Sequence, residues 1–186
     1  FEHLPWSCFG DADRIRPHNP LTRVPVLVPD GGESLIESHM ILDYLDGLMP
    51  PARRLFPQTE PDRRRALQRA ALACGIGDKA VSLFYEMRLH SETSGLFVAR
   101  CKRQIGEGLA RLEAFYATEP AAPVGPDIGP SIGHAEIALA AVWRFTHEAH
   151  PGLIDDADLP ALSALCDRLE ATAAFRAICQ SFIPPA

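Results

Sequence analysis

The sequence predicts a small α/β piece followed by an all-α piece, two domains rather than one mixed core. Three observations lead there. Residues 23–38, RVPVLVPDGGESLIES, read as strand, turn and strand, and then run into a helical pattern. Residues 49–61, MPPARRLFPQTEP, have the proline-studded texture of a linker. Beyond them the apolar residues recur at helical spacing almost to the end. The expected boundaries are 1–52 and 56–186.

FEHLPW, residues 1–6, reads as a short strand, and residues 8–20 as polar and irregular with a helical turn. VPVLV, 24–28, is β-branched and bounded by turn signals, the mark of a strand. PDGGE then makes a hairpin, with Asp30 and Gly31 expected to supply positive φ angles. SLIES returns. From Ser38, Ile41, Tyr44, Leu45 and Leu48 mark a helix that ends at Met49-Pro50-Pro51.

In the second piece Pro61 suits a first helical turn. Leu67, Ala71, Cys74, Val81, Phe84 and Met87 mark one face of a long helix. A second stripe runs Phe97, Cys101, Ile105, Leu109, Leu112 and Tyr116. EPAAPVGPDIGPSIG, 119–133, is a loop by composition. AEIALAAVW, 135–143, is apolar almost all round, as in a helix buried on every side. Asp158 is expected to cap a helix with Pro160 in its first turn and Leu162, Leu165, Cys166 and Leu169 inward. Thr172 caps a last short one.

Composition excludes several classes. The 186 residues carry a formal net charge of −6, which argues against a nucleic-acid partner needing a basic surface. No apolar run reaches membrane-spanning length, and no secretory leader is visible at FEHLPW. The cysteines, Cys8, Cys74, Cys101, Cys166 and Cys179, are scattered without C-x-x-C spacing, so the expected place is the reducing cytoplasm.

The chemistry concentrates at the hairpin. A cis bond is expected at Val24-Pro25, leaving the main chain of Val24 outside the ladder and able to pair with an extended peptide. Ser38 stands at a helix N-terminus, where a hydroxyl and free amides favour an anion. Glu37, just before it, can hold a cation. Together these groups grip a short peptide with an ammonium and a carboxylate at one end. The plain alternative is an edge-strand proline and a helix cap.

The order NPLTRVPVLV, hairpin, ESLIES, helix resembles the glutathione S-transferase family of bacterial type. Asn19, Pro20, Arg23, Val24, Pro25 and Leu27 match its N-P-x-x-K/R-V-P-x-L segment, Glu37 and Ser38 its E-S pair, and AEIALAA its A-D-I-A-L stretch. The resemblance covers nearly the whole chain. It implies a truncated thioredoxin-like N-terminal domain, which binds glutathione, followed by the family's all-helical C-terminal domain. By the same resemblance Val24 hydrogen-bonds the cysteinyl backbone of glutathione and Pro25 is the cis proline. Glu37 and Ser38 hold the γ-glutamyl ammonium and carboxylate. Arg23 faces the glycyl carboxylate, or else is a solvated strand-end charge. The implied activity is transfer of glutathione thiolate, a co-substrate and not a bound cofactor, to a small electrophile in detoxification. The implied partners are a second copy of the chain, in a homodimer, and no metal, nucleic acid or membrane. The alternative is a non-catalytic binding or interaction module of the same fold.

Two departures from the family pattern stand out. Where the family has Ser or Thr three residues before the acid of A-D-I-A-L, Gly133 precedes Glu136, so half of a capping box is missing and Ser131 is a substitute cap. The family's first strand and helix, about 25 residues by comparison with a full βαβ unit, would precede FEHLPW. The resemblance therefore puts the thiol-activating residue upstream of Phe1, assigns none within the chain, and implies that these residues alone do not conjugate glutathione. Ser7 and Cys8 follow the second strand and are not assigned catalysis.

Other groups read as structural. His147 and His150, three apart in H-E-x-H, suit a helix C-terminus better than a metal. Arg63, Arg64 and Arg65 suit a solvated face or a subunit contact. Tyr85 and Arg88 line an electrophile pocket by analogy with the family, or pack in a core or interface.

Overall fold

A computed structural model describes residues 1–118, 132–180 and 182–184, and the chain forms two units, Phe1–Arg54 and Leu55–Pro184. The proline-rich stretch 119–131, with Ser131, lies outside the described residues.

The first unit is small. Helix α1 (Ala12–Ile15) leads to strands β1 (Val26–Leu27) and β2 (Leu35–Ile36), paired antiparallel with Val26 opposite Ile36 and Leu27 opposite Leu35. Helix α2 (Ser38–Gly47) packs on both strands, and Ile15 of α1 and Ile41 of α2 are buried. The Arg54 guanidinium holds the carbonyls of Met49 (Nε, 3.1 Å) and Gly47 (Nη2, 3.4 Å), satisfying acceptors that a helix C-terminus leaves free.

Three expectations are corrected in this unit. The ladder is shorter than VPVLV and SLIES imply. The turn closes through the Gly32 amide on the Pro29 carbonyl (2.9 Å), and the positive φ falls on Gly32 (+81°), not on Asp30 and Gly31. A turn closed by one i→i+3 bond and ending in a left-handed residue closes the hairpin just as well. FEHLPW is not a strand: the Trp6 amide bonds the Leu4 carbonyl (2.8 Å), and among the described residues no backbone row runs beside it to pair with. The Val24-Pro25 bond is cis, as expected, and so is Glu60-Pro61.

The second unit is helical: α3 (Asp62–Leu89), α4 (Gly95–Tyr116), α5 (His134–Ala149), α6 (Pro160–Glu170) and α7 (Ala173–Ile178). Helix α5 is central, packed on α3 and α6, while α4 covers α3 and α6. The core gathers Ile76, Leu83, Ile105, Leu109, Leu139 and Leu162. Ala141 on α5 is exposed, so that helix is not buried on every side. Among the described residues no helix is long and apolar enough to cross a membrane.

The stripe read for α3 is largely the wrong face. Its buried residues are Ala66, Ala70, Ala73, Ile76, Ala80, Leu83 and Phe84, whereas Leu67, Val81 and Met87 are exposed. The neighbouring helices come close: a Cβ at Gly108 of α4 would stand 2.7 Å from Cγ1 of Ile76, and one at Gly77 of α3 would stand 2.9 Å from Cγ2 of Val142 on α5. On α4 the expected stripe is buried from Cys101 to Leu112, but Phe97, in the first turn, is exposed.

Two helix starts also differ from expectation. Asp158 does not cap α6. Glu113 of α4 does so from a distance, its Oε1 and Oε2 accepting the amides of Ala161 (3.0 Å) and Leu162 (2.9 Å). Leu159, at the cap position, has no side-chain acceptor to offer. At α5 the Glu136 carboxylate accepts the Gly133 amide (2.8 Å) and the Tyr116 hydroxyl (2.8 Å). The missing hydroxyl has a steric reason: a Cβ at position 133 would lie 2.7 Å from the Leu55 carbonyl oxygen.

Candidate functional site

The hairpin end of the first unit brings Arg23, Val24, Pro25, Glu37 and Ser38 together. Continuing the register of Val26 with Ile36 by two residues sets Val24 opposite Ser38. Hydrogen-bonded pairing has already stopped there, so the Val24 main chain lies outside the ladder, and Val24 is exposed. An extended backbone laid alongside it would find an open edge.

The loop that carries Arg23 and Val24 is organised from within by Asn19, which is buried. Its Oδ1 accepts the Leu21 amide (3.0 Å), its Nδ2 donates to the Arg23 carbonyl (2.9 Å), and its own carbonyl accepts the Thr22 amide (2.8 Å). Thr22 has φ +54°, in the region a β-branched residue avoids. The sequence motif includes Asn19 without a role for it, and the Asn-Pro pair, a turn signal, is the local clue to this loop.

Glu37 is the second such residue, with φ +67°. It occupies the cap position of α2, and its carbonyl accepts the Ile41 amide (3.1 Å). The amides of Ser38, His39 and Met40 therefore precede the first intrahelical bond. No acidic side chain lies in this first turn and the Glu37 side chain makes no cap bond to these amides, so they can meet an incoming anion. Ser38 is the first helical residue, not the cap. Left-handed backbone at a non-glycine residue costs on the order of 1–3 kcal/mol and clusters at binding sites. Here it turns the Glu37 side chain toward Arg23, whose Nη1 lies 3.2 Å from Oε1 of Glu37. A carboxylate, free helix amides, a hydroxyl and an open strand edge thus stand within one short hairpin. They can hold a ligand with an ammonium, a carboxylate and a peptide backbone.

The remaining candidates are engaged elsewhere. Ser7 Oγ accepts the amides of Phe9 (3.2 Å) and Gly10 (3.3 Å), a turn role. His147 places Nδ1 2.9 Å from the Trp143 carbonyl and Nε2 2.7 Å from Asp156 Oδ1. His150 ends α5 with Nε2 2.8 Å from the Ala80 carbonyl. Among the described residues no three His, Cys, Asp or Glu side chains are grouped to hold a metal ion. Arg65 pairs with Asp62 (3.4 Å) and the Arg63 guanidinium lies 5.7 Å from the centre of the Phe56 ring, both at the solvated start of α3. Tyr85 and Arg88 are exposed. Burial pushes the thiols of Cys74 and Cys166 up, so neither is a ready nucleophile.

The chain is similar to several known proteins. The family described as "Glutathione S-transferase, N-terminal domain" matches residues 1–53. The uncharacterized GST-like protein YibF of Escherichia coli (strain K12) is 34% identical over 116 residues, 62% of this chain. The chain spans 57% of that relative's length. A glutathione transferase family member from Pseudomonas fluorescens Pf-5, solved with bound S-(propanoic acid)-glutathione, is 30% identical with a TM-score of 0.72. The match covers 87% of this chain and 79% of that one. A glutathione S-transferase from Methylobacterium radiotolerans JCM 2831, in complex with glutathione sulfonate, is 29% identical with a TM-score of 0.78. That match covers 99% of this chain and 84% of the other.

Proposed function

The chain belongs to the glutathione S-transferase family, and from that premise we propose that it binds glutathione at the hairpin end and serves its conjugation to a small electrophile. One observation carries the reading: past the last ladder pair, Val26 with Ile36, the hairpin end holds the unpaired main chain of Val24 and the helix start at Glu37 and Ser38, joined by the Arg23–Glu37 contact. That pairing matches the two chemistries of the ligand, a peptide backbone and an amino-acid head. Val24 pairs with the cysteinyl backbone after the cis Pro25. Glu37 takes the γ-glutamyl ammonium, and the Ser38 hydroxyl with the first amides of α2 takes its carboxylate. Relatives solved with glutathione or its derivatives support the choice of ligand.

In this reading residues 1–52 are the glutathione-binding domain and 56–186 the helical domain that receives the electrophile. Glutathione is a co-substrate whose sulfur, at a free-thiol pKa of about 8.5, needs a nearby donor to become thiolate at neutral pH. The protein works in detoxification as a cytoplasmic homodimer. Free cysteines support the reducing compartment. The exposed apolar side chains Leu67, Val81 and Tyr85 along α3 support a subunit contact. The test is titration calorimetry with glutathione, together with retention on immobilised glutathione. Saturable binding that free glutathione competes away is expected. No heat and no retention would overturn the proposal.

A further inference from the structure

We propose that Arg23 is a positioning residue for ammonium recognition: it holds one oxygen of the Glu37 carboxylate, aims the other at the α-ammonium of the ligand, and does not bind the glycyl carboxylate. The inference rests on the glutathione reading and deepens it by dividing the work at one end of the site.

The family resemblance points Arg23 at the far, glycyl end of the ligand. Its side chain instead meets Glu37, with Nη1 3.2 Å from Oε1. The contact lies just past the last ladder pair, Val26 with Ile36, where no backbone bond joins the two strands. Both ends of the contact are prepared. The Arg23 carbonyl is fixed by Nδ2 of buried Asn19 (2.9 Å), directly after Thr22 with its left-handed φ of +54°. Glu37 has φ +67° itself. Two strained residues next to one ion pair are what a preset site looks like.

The chemistry divides cleanly. A carboxylate offers about four lone-pair sites on two oxygens, so a guanidinium on Oε1 leaves Oε2 for an ammonium. A glutamate side chain is otherwise free to rotate, and a ligand that had to order it would bind more weakly. Arg23 keeps its charge at every working pH, so the arrangement does not lapse. The Arg23 and Glu37 side chains are 57% and 42% exposed, and exposed pairs add little to folding. The contact is therefore to be read in binding.

The experiment is calorimetry on the full chain, wild type and Arg23→Met, with three ligands. They are glutathione, γ-glutamylcysteine, which lacks glycine, and the glutathione analogue with hydrogen in place of the α-amino group. Arg23→Met is expected to weaken glutathione and γ-glutamylcysteine alike, by about fivefold, and to leave the deaminated analogue unchanged. A loss confined to glutathione would overturn the inference and assign Arg23 to the glycyl carboxylate. An equal loss for all three, or none for any, would also overturn it. Arg23→Gln repeats the measurement if Arg23→Met folds poorly. Wild-type protein that binds none of the three would bring down the glutathione reading itself, an outcome distinct from the other patterns.

Discussion

Nη1 of Arg23 lies 3.2 Å from Oε1 of Glu37, so side chains join the two arms of the hairpin where the backbone ladder has ended. This places a carboxylate of set orientation beside the start of α2. It also leaves Val24, between Arg23 and the cis proline, with its main chain open.

Ser38 is the residue to test first for the anion. Its hydroxyl sits at the first helical position of α2, beside amides that no carbonyl of the helix accepts. Ser38→Ala is expected to weaken glutathione binding by about 1–3 kcal/mol, the range for a hydrogen bond to a charged group. Stability should change by about 0.5 kcal/mol or less, because the cap position is Glu37. Calorimetry with a denaturant titration checks both, and unchanged affinity would remove Ser38 from the site.

Gly133 offers a prediction that runs against the family pattern. Restoring a hydroxyl with Gly133→Ser would complete a capping box on paper. The added Cβ would lie 2.7 Å from the Leu55 carbonyl oxygen, a backbone atom that cannot swing aside. The substitution is expected to destabilise the protein by about 1–3 kcal/mol. A urea midpoint equal to or above that of the wild type would contradict the steric account.

Glu113 ties α4 to the start of α6 through two amides, those of Ala161 and Leu162. Glu113→Ala leaves both donors unanswered at a helix start and is expected to cost about 2 kcal/mol. Glu113→Gln keeps one acceptor oxygen and should cost about half as much. Equal stability of the three proteins in urea would show that solvent replaces the carboxylate freely.

The exposed side chains of α3 predict association. Leu67, Val81 and Tyr85 lie on one face of the helix, at spacings that return to the same side. Val81→Glu is expected to raise the dimer dissociation constant at least about tenfold while leaving the helical content unchanged. Light scattering across a concentration series reads this directly, and a wild-type monomer at micromolar concentration would set the dimer aside.

Local chemistry by itself determined the hairpin, the start of α2 at Ser38, the stop at Met49-Pro50 and the cap of α7 at Thr172, whose hydroxyl oxygen accepts the Phe175 amide. These follow from turn residues, prolines and short spacings, whose effects reach only a few residues along the chain. Tertiary structure alone decided the rest. The buried face of α3 is alanine-rich, with Ala66, Ala70, Ala73 and Ala80 beside Ile76, Leu83 and Phe84, and exposed bulky residues misdirect a periodicity reading because alanine is small enough for either side. Only the packing of α4 and α5 on α3, visible at Gly108 against Ile76 and at Gly77 against Val142, decides which face is buried. Glu113 caps α6 from 48 residues away in sequence, at a distance where no local pattern links donor and acceptor. Arg23 meets Glu37 across 14 residues, and the backbone turns at Thr22 and Glu37 that bring them together are ones their side chains disfavour. A sequence reports what its residues prefer, and those two are held against preference by the bonds of Asn19 and the packing of α2 on the strands.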